Sequence, residues 1–129
     1  MINAVLPKFL FEDEDIVYLT NKGIQIQSGK QTIGSYQIPC YKFYNLNETE
    51  VFEKLHSNSL LEATNNSEAT NYATRIAAIL FLRIRQVSAI KDKDTKVAAA
   101  CSLLSSVNSL ANINMNYAKR FIPLVRSIV

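Results

Sequence analysis

Hydrophobic and polar residues alternate in short runs along the first third of the chain, and these runs are rich in β-branched and aromatic residues. In the run 24–27, Ile24 and Ile26 fall on one face of an extended chain and the two glutamines fall on the other. Turn signals with glycine occupy positions 21–23 and 28–30. The pattern predicts an antiparallel sheet of three to four short strands within about residues 15–45, at 15–20, 24–28, 31–38 and 40–45.

Pro39 precedes the last of these predicted strands. Because proline has no backbone N–H to donate to a neighbouring strand, we expect the last strand to start at Pro39 or to lie at an edge. One face of the sheet should be in water. A free edge of such a sheet could accept another chain.

From residue 47 onward, apolar residues recur at the spacing of an α-helix. Asn47 stands at a helix-cap position, and the polar run 91–94 separates two helices, with Asp94 or Thr95 expected as the cap of the second. Pro123 is expected to end the last helix, because its ring clashes with the preceding turn. The pattern predicts three to four packed helices, at about 48–62, 67–90, 95–112 and 116–122.

The helix predicted at 67–90 is apolar on nearly all sides, which is typical of a central helix. Arg83 lies within its apolar face. A long charged side chain there either reaches solvent at the edge of the face or pairs with a carboxylate, for which the acidic run 12–15 is the expected source. The functional alternative is contact with a phosphate or an acidic peptide by Arg83 together with Arg75 and Arg85.

The helix predicted at 95–112 lies in a stretch without charge, the 22 residues 97–118 between two lysines. An exposed helix face normally carries lysine and glutamate, but one face of this helix carries small and amide side chains. Another part of the chain, a second copy or a different protein would cover such a face; plain solvation is the remaining alternative. The interface candidates are Cys101, Ser102, Ser105, Ser109 and Asn112.

With 129 residues, 48% of them hydrophobic and 19% charged, the chain has the composition of one globular domain, strand-rich at 1–46 and helical at 47–129. We therefore expect an α+β fold. The longest apolar run, 76–82, is too short to span a membrane, and the N-terminus lacks a signal-peptide pattern. We expect an intracellular, cytoplasmic protein in which Cys40 and Cys101 are reduced, buried thiols.

The net charge of +3 conceals an uneven distribution. Residues 1–63 hold five lysines against eight acidic residues, for a net charge of −3, whereas residues 64–129 hold nine basic against three acidic residues, for a net charge of +6. Either the two halves complement one another inside one fold, or the basic half meets an acidic partner. The candidates for contact with an anionic partner are Arg75, Arg83, Arg85, Lys91, Lys93 and Lys96.

No residue pattern indicates catalysis, a metal or a cofactor. His56 is the one histidine and has no nucleophile motif around it, and the two cysteines lack the spacing of a zinc site. The three glycines form no phosphate loop. The acidic run 12–15 is expected to be a solvated loop.

These observations favour a small protein-binding or assembly module that acts by contact through the uncharged helix face. Its expected partner is a protein, either a second copy, which would make a homo-oligomer, or a different chain. An adaptor, an inhibitor or a viral or mobile-element accessory protein, in the cytoplasm of a cell or of an infected host cell, would each have such a sequence. The competing hypothesis is a nucleic-acid-binding protein that uses the basic second half.

Overall fold

The computed structural model describes residues 2–55 and 66–128. It has an α+β fold, with a three-stranded antiparallel sheet near the N-terminus and four described α-helices after residue 47. The predicted fold class is therefore confirmed. His56 and the second half of the helix predicted at 48–62 lie outside the described residues.

Three strands form the sheet in the spatial order β1-β3-β2, with antiparallel neighbours throughout. A bulge interrupts the pairing of β1 with β3, where Asn45 has a φ of 58° and its N–H donates to the Asn3 side-chain oxygen at 3.0 Å. An asparagine tolerates this left-handed conformation better than most residues do. The strands are β1 (Ile2–Pro7), β2 (Ile26–Ile33) and β3 (Tyr36–Leu46).

A tight turn at Gly34 and Ser35 joins β2 to β3, with Ile33 opposite Tyr36. Gly34 has a φ of 61°, as the first position of a type II′ hairpin turn requires. The single strand predicted at 31–38 is therefore wrong. These residues form the end of one strand, the turn and the start of the next.

Pro39 lies inside β3, so the expectation that a strand starts there is also wrong. β1 pairs with β3 only as far as Pro7 opposite Cys40. Among the described strands, β2 alone consequently neighbours the central strand at Pro39, and the proline occupies a local edge. The missing N–H costs no ladder hydrogen bond, because it faces the side where β1 has already ended.

A helix, α1 (Asp13–Asn21), occupies the place of the strand predicted at 15–20. The first turn of α1 contains Asp13, Glu14 and Asp15, and acidic side chains interact favourably with the positive end of the helix dipole. The apolar run that follows is too short to distinguish a strand from a helix by periodicity. The third strand of the sheet is instead β1, which the sequence pattern did not predict, and a 3₁₀ turn at Lys8–Leu10 follows it.

Four helices follow the sheet at positions close to those predicted. Asn47 caps the first of them, since its side-chain oxygen accepts a hydrogen bond from the Glu50 N–H at 3.2 Å. The helices are α2 (Glu48–Leu55), α3 (Asn66–Ser88), α4 (Lys93–Ala111) and α5 (Met115–Arg126).

The last helix continues through Pro123, so the prediction that it ends at 122 is wrong. Phe121 and Val125, on either side of the proline, are both fully buried. Burial of these two side chains favours the helical path and offsets the hydrogen bond that the proline cannot make.

The core surrounds α3, which contacts α1, α2, α4, α5 and β1. Every residue from 73 to 80 is buried, including one threonine and one arginine. This confirms the prediction of a central helix. The inner face of the sheet adds Leu6, Tyr41 and Phe43 to the same core.

Candidate functional site

A hydrogen-bonded side-chain cap marks the start of α4, the helix that carries the first part of the uncharged stretch. Asp92, two residues before Asp94 and three before Thr95, the two predicted caps, accepts hydrogen bonds from both the N–H and the hydroxyl of Thr95, at 2.9 and 2.6 Å. These two hydrogen bonds, the hydroxyl first, lower the pKa of Asp92. The cap therefore carries a charge at neutral pH and stabilises the helix start.

Only one stripe of α4 is buried. Ala100, Leu103, Val107 and Leu110 belong to the core, and Ser106 is buried beside them. On the outer side, four of the five candidate interface residues are exposed and one is half-buried. The exposed four are Cys101, Ser102, Ser105 and Asn112, and the half-buried one is Ser109.

The exposed side of α4, which we call the uncharged face (Cys101, Ser102, Ser105, Ser109 and Asn112), is thus not covered by any other described part of the chain. Within residues 2–55 and 66–128, the alternative of an intramolecular cover is wrong. The Ser109 hydroxyl donates to the Ser105 backbone oxygen at 3.2 Å, so this hydroxyl already has a partner on its own helix. Two apolar side chains are exposed near the ends of the face, Val97 at 39% and Met115 at 51%.

A groove of about 340 Å³ runs beside the uncharged face, between α3 and α4. Leu103 and Val87 line its apolar part. Arg83, a candidate for contact with an anionic partner, and Ser102, an interface candidate, both line the same groove. The sequence did not predict this groove, because its walls come from two helices whose relative rotation only packing determines. The other lining residues are Gln86, Ala99 and Ser106.

Arg75, the first of the basic candidates, is an interior residue. It is 8% exposed, its guanidinium lies 4.9 Å from the Tyr72 ring centre, and its Nη1 is 3.7 Å from a Glu50 carboxylate oxygen. Its Nε makes no hydrogen bond with any described residue. Arg75 therefore interacts mainly with the fold itself.

Arg83 pairs with Glu48 of α2, not with the acidic run 12–15 as expected. Its Nε donates to the Glu48 carboxylate at 2.7 Å, its Nη2 donates to the same oxygen, and its guanidinium lies 3.9 Å from the Phe52 ring centre. Both partners of the ion pair are about one-third exposed. The side chain thus leaves the apolar face at its edge, close to the groove.

The remaining basic candidates lie away from Arg75. Arg85 is exposed, with its guanidinium 4.6 Å from the Phe81 ring centre. Lys91, Lys93 and Lys96 surround a separate depression of about 220 Å³ at the start of α4, which Val97 and Ile128 also line. The structure therefore brings the three lysines together at this depression, and Arg83 and Arg85 together at another of about 260 Å³, which Glu48 also lines.

The acidic run 12–15 is part of the folded structure, so the expected solvated loop is wrong. Glu12 forms an ion pair with Arg120, whose Nη1 also donates to the Leu10 backbone oxygen at 2.9 Å. The Tyr41 hydroxyl donates to Asp13. These contacts attach the start of α1 to the sheet and to α5.

A second tyrosine reaches the acidic run from α5. The Tyr117 hydroxyl donates to Asp15 at 2.8 Å and accepts from the Glu12 N–H at 3.3 Å, and the buried Thr74 hydrogen-bonds to it. Burial, and then the hydrogen bond to Asp15, raises the pKa of Tyr117. This cluster ties α1, α3 and α5 together and gives the acidic run a structural role.

All three ion pairs among the described residues join a second-half arginine to a first-half glutamate. The charge difference between the two halves of the chain is therefore partly used inside the fold. The pairs are Arg75–Glu50, Arg83–Glu48 and Arg120–Glu12.

Both cysteines are free thiols, but only Cys40 is buried. The expectation of a buried Cys101 is wrong, because it belongs to the outer side of α4. Among residues 2–55 and 66–128, no three potential metal ligands lie close enough to hold an ion. Within the same ranges, no helix has the length and apolar character needed to cross a bilayer.

No protein-family model, curated protein or solved structure matches this chain.

Proposed function

We propose that this protein is a protein-binding and assembly module that acts by contact, and that copies of it associate through the uncharged face of α4. The observation that carries the proposal is the exposure of Cys101, Ser102, Ser105 and Asn112 along α4 and its C-terminal cap, where the chain carries no charge after Lys96. A solvated helix face of this length usually carries lysine and glutamate. Its absence of charge removes the main cost of covering the face with another chain.

The arrangement of the face favours self-association. Small side chains let two helix backbones approach closely, and a twofold axis at Ser105 would place Cys101 near Ser109 of a second copy without opposing like charges. Symmetric dimers are the commonest oligomers of soluble proteins. In this proposal the module works in the cytoplasm, as an adaptor, inhibitor or viral accessory protein, and has no catalytic role.

The nucleic-acid hypothesis has weaker support. Arg75 and Arg83 interact with glutamates of the fold, and the three clustered lysines alternate with Asp92 and Asp94. A surface that neutralises a phosphate backbone needs many unpaired positive charges on one side. We therefore do not propose it.

The test is the mass in solution, measured by size exclusion with light scattering under reducing conditions, so that the exposed thiol of Cys101 cannot cross-link two chains. The expected result is a dimer for the natural chain and a folded monomer for Ser105→Glu. The matched control is Ser88→Glu, which adds the same charge to an exposed serine of α3 and should remain a dimer.

Two outcomes would contradict the proposal. A natural chain that is monomeric at every concentration rules out self-association. A dimer that survives Ser105→Glu shows that copies meet through another surface. Circular dichroism of each variant checks that the added charge has not unfolded the chain.

A further inference from the structure

A second surface, independent of α4, lies at the open edge of the sheet. β2 has β3 on one side, and none of the described strands pairs with its other side. Most of its residues are exposed, and none of its backbone groups makes a hydrogen bond outside the sheet with the described part of the chain. β2 therefore presents an unpaired row of donors and acceptors.

The pairing with β3 determines which groups face outward. The Tyr44 N–H donates to the Gln25 backbone oxygen at 3.1 Å, so this pair is hydrogen-bonded, and such pairs alternate along antiparallel strands. The uninterrupted register of β2 with β3 continues this alternation. The backbone N–H and C=O groups that point to the open side belong to Ile26, Ser28, Lys30 and Thr32.

The two edges of the sheet differ in how far they are protected. β1 has six residues, ends at Pro7 and faces a bulge of the central strand. β2 has eight residues, no proline and no bulge, and Lys30 is its only charged residue. Prolines, bulges and charged side chains, lysine in particular, are the devices that usually prevent another chain from pairing with an edge, and of these β2 has Lys30 alone.

The outer part of the β2–β3 hairpin also lacks a third strand, because β1 ends opposite Cys40. Near its tip, Ile33 is 54% exposed and Tyr36 is 75% exposed. A two-stranded ribbon is only marginally stable in water, and a third strand stabilises it. An added strand would supply these missing contacts.

The segment of the chain that contains β2 and β3 carries charge of one sign. Residues 16–47 contain Lys22, Lys30 and Lys42 and no acidic residue. We propose that the open edge of β2 binds an acidic, extended segment of a partner protein as a fourth strand of the sheet. Alternating N–H and C=O groups match a polypeptide, which both donates and accepts, whereas nucleic-acid phosphates only accept.

The test uses a short, end-blocked peptide of alternating valine and glutamate and follows amide hydrogen exchange in the isotope-labelled protein by NMR. The peptide should slow exchange at the outward amides of Ser28, Lys30 and Thr32 by about tenfold or more. The amides of Gln27, Gly29 and Gln31 already face β3 and are the internal control.

Two variants separate the backbone contribution from the charge contribution. Ser28→Pro removes an outward N–H without removing a bond to β3, and should abolish peptide binding, whereas Ser28→Ala keeps the N–H and should bind normally. Lys30→Glu should weaken binding about tenfold. Ser105→Glu on α4 should leave peptide binding unchanged, so the two proposals fail independently.

Unchanged exchange at the three outward amides would overturn the proposal, and so would full binding by a folded Ser28→Pro variant. Equal binding of a valine–lysine peptide would overturn the requirement for an acidic partner. A single-stranded DNA oligonucleotide that perturbs the same residues, when the acidic peptide does not, would replace the protein partner with nucleic acid.

Discussion

α3 and α4 are consecutive helices, and the one with three arginines is more buried than the one with the uncharged stretch. α3 carries Arg75, Arg83 and Arg85, yet its residues 73–80 are all buried. α4 carries no charge from Val97 to its end, yet a whole side of it is exposed. The absence of charge on a helix therefore does not mean that the helix is buried.

The number of neighbouring elements explains the difference. α3 contacts three other helices besides α4, as well as β1. Its first two arginines meet glutamates of α2, Arg75 in the interior and Arg83 at the edge of the packing. α4 packs mainly against α3 and α5, which cover one side only. Burial on one side leaves the other for solvent or for a partner.

The largest expected effect on stability comes from truncating one aliphatic side chain in each of the two helices. Leu80→Ala in α3 deletes a fully buried side chain and should lower the free energy of unfolding by about 3 kcal/mol, because it leaves a cavity. Val97→Ala at the exposed start of α4 should cost less than about 1 kcal/mol. Urea unfolding measures both, and similar losses would show that α4 is also covered.

The next largest effect is a pH dependence of stability, which arises from the buried Tyr41 in the core. Burial, then the hydrogen bond to Asp13 and its negative charge, raises the pKa of Tyr41 from 10.0 to about 12. The unfolded chain releases this proton first, so the contribution of Tyr41 to stability is fully present below pH 10 and is lost as the pH rises toward 12. The raised pKa of Tyr117 acts in the same direction.

Tyr41→Phe removes this titration and should make the loss of stability above pH 10 less steep, as measured by urea unfolding across the alkaline range. The matched control is Ser102→Ala, which also removes one hydroxyl, but from the uncharged face, and should leave the pH profile of stability unchanged. Equal profiles for the natural chain and Tyr41→Phe would contradict the role of burial.

A smaller effect concerns the start of α4. Asp92→Ala removes both hydrogen bonds to Thr95 and should lower the free energy of unfolding slightly. Asp92→Asn keeps an acceptor and should recover most of it. If both variants match the natural chain in urea unfolding, the cap is unimportant and packing alone holds the helix start.

The smallest expected effect on stability comes from replacing either of two arginines of α3. Arg83→Met removes the ion pair with Glu48 and should cost about 0.5 kcal/mol, a modest figure because the pair is partly exposed to solvent. Arg85→Met, which breaks no ion pair among the described residues, should cost less. A larger loss for Arg85 would mean that its contact with Phe81 matters more than the charge pair of Arg83.

Local sequence signals predicted the helical part of the chain well. The periodicity of α3 and α4, the cap at Asn47 and the gap between the helices predicted at 95–112 and 116–122 all depend on residues within a few positions of one another. Asn114 caps α5 by accepting a hydrogen bond from the Tyr117 N–H at 3.2 Å. The N-terminal part was predicted less well, because short apolar runs suit strands and helices equally.

The sequence by itself determined the α+β class, the central position of α3 and the lack of charge on α4, since these follow from local periodicity and composition. Only the tertiary structure decided that the uncharged face is exposed, that Arg83 meets Glu48 and that β2 has an open edge. Each of these depends on which distant segment lies beside the residue. Many weak contacts across the whole chain determine that placement, and no short stretch encodes it.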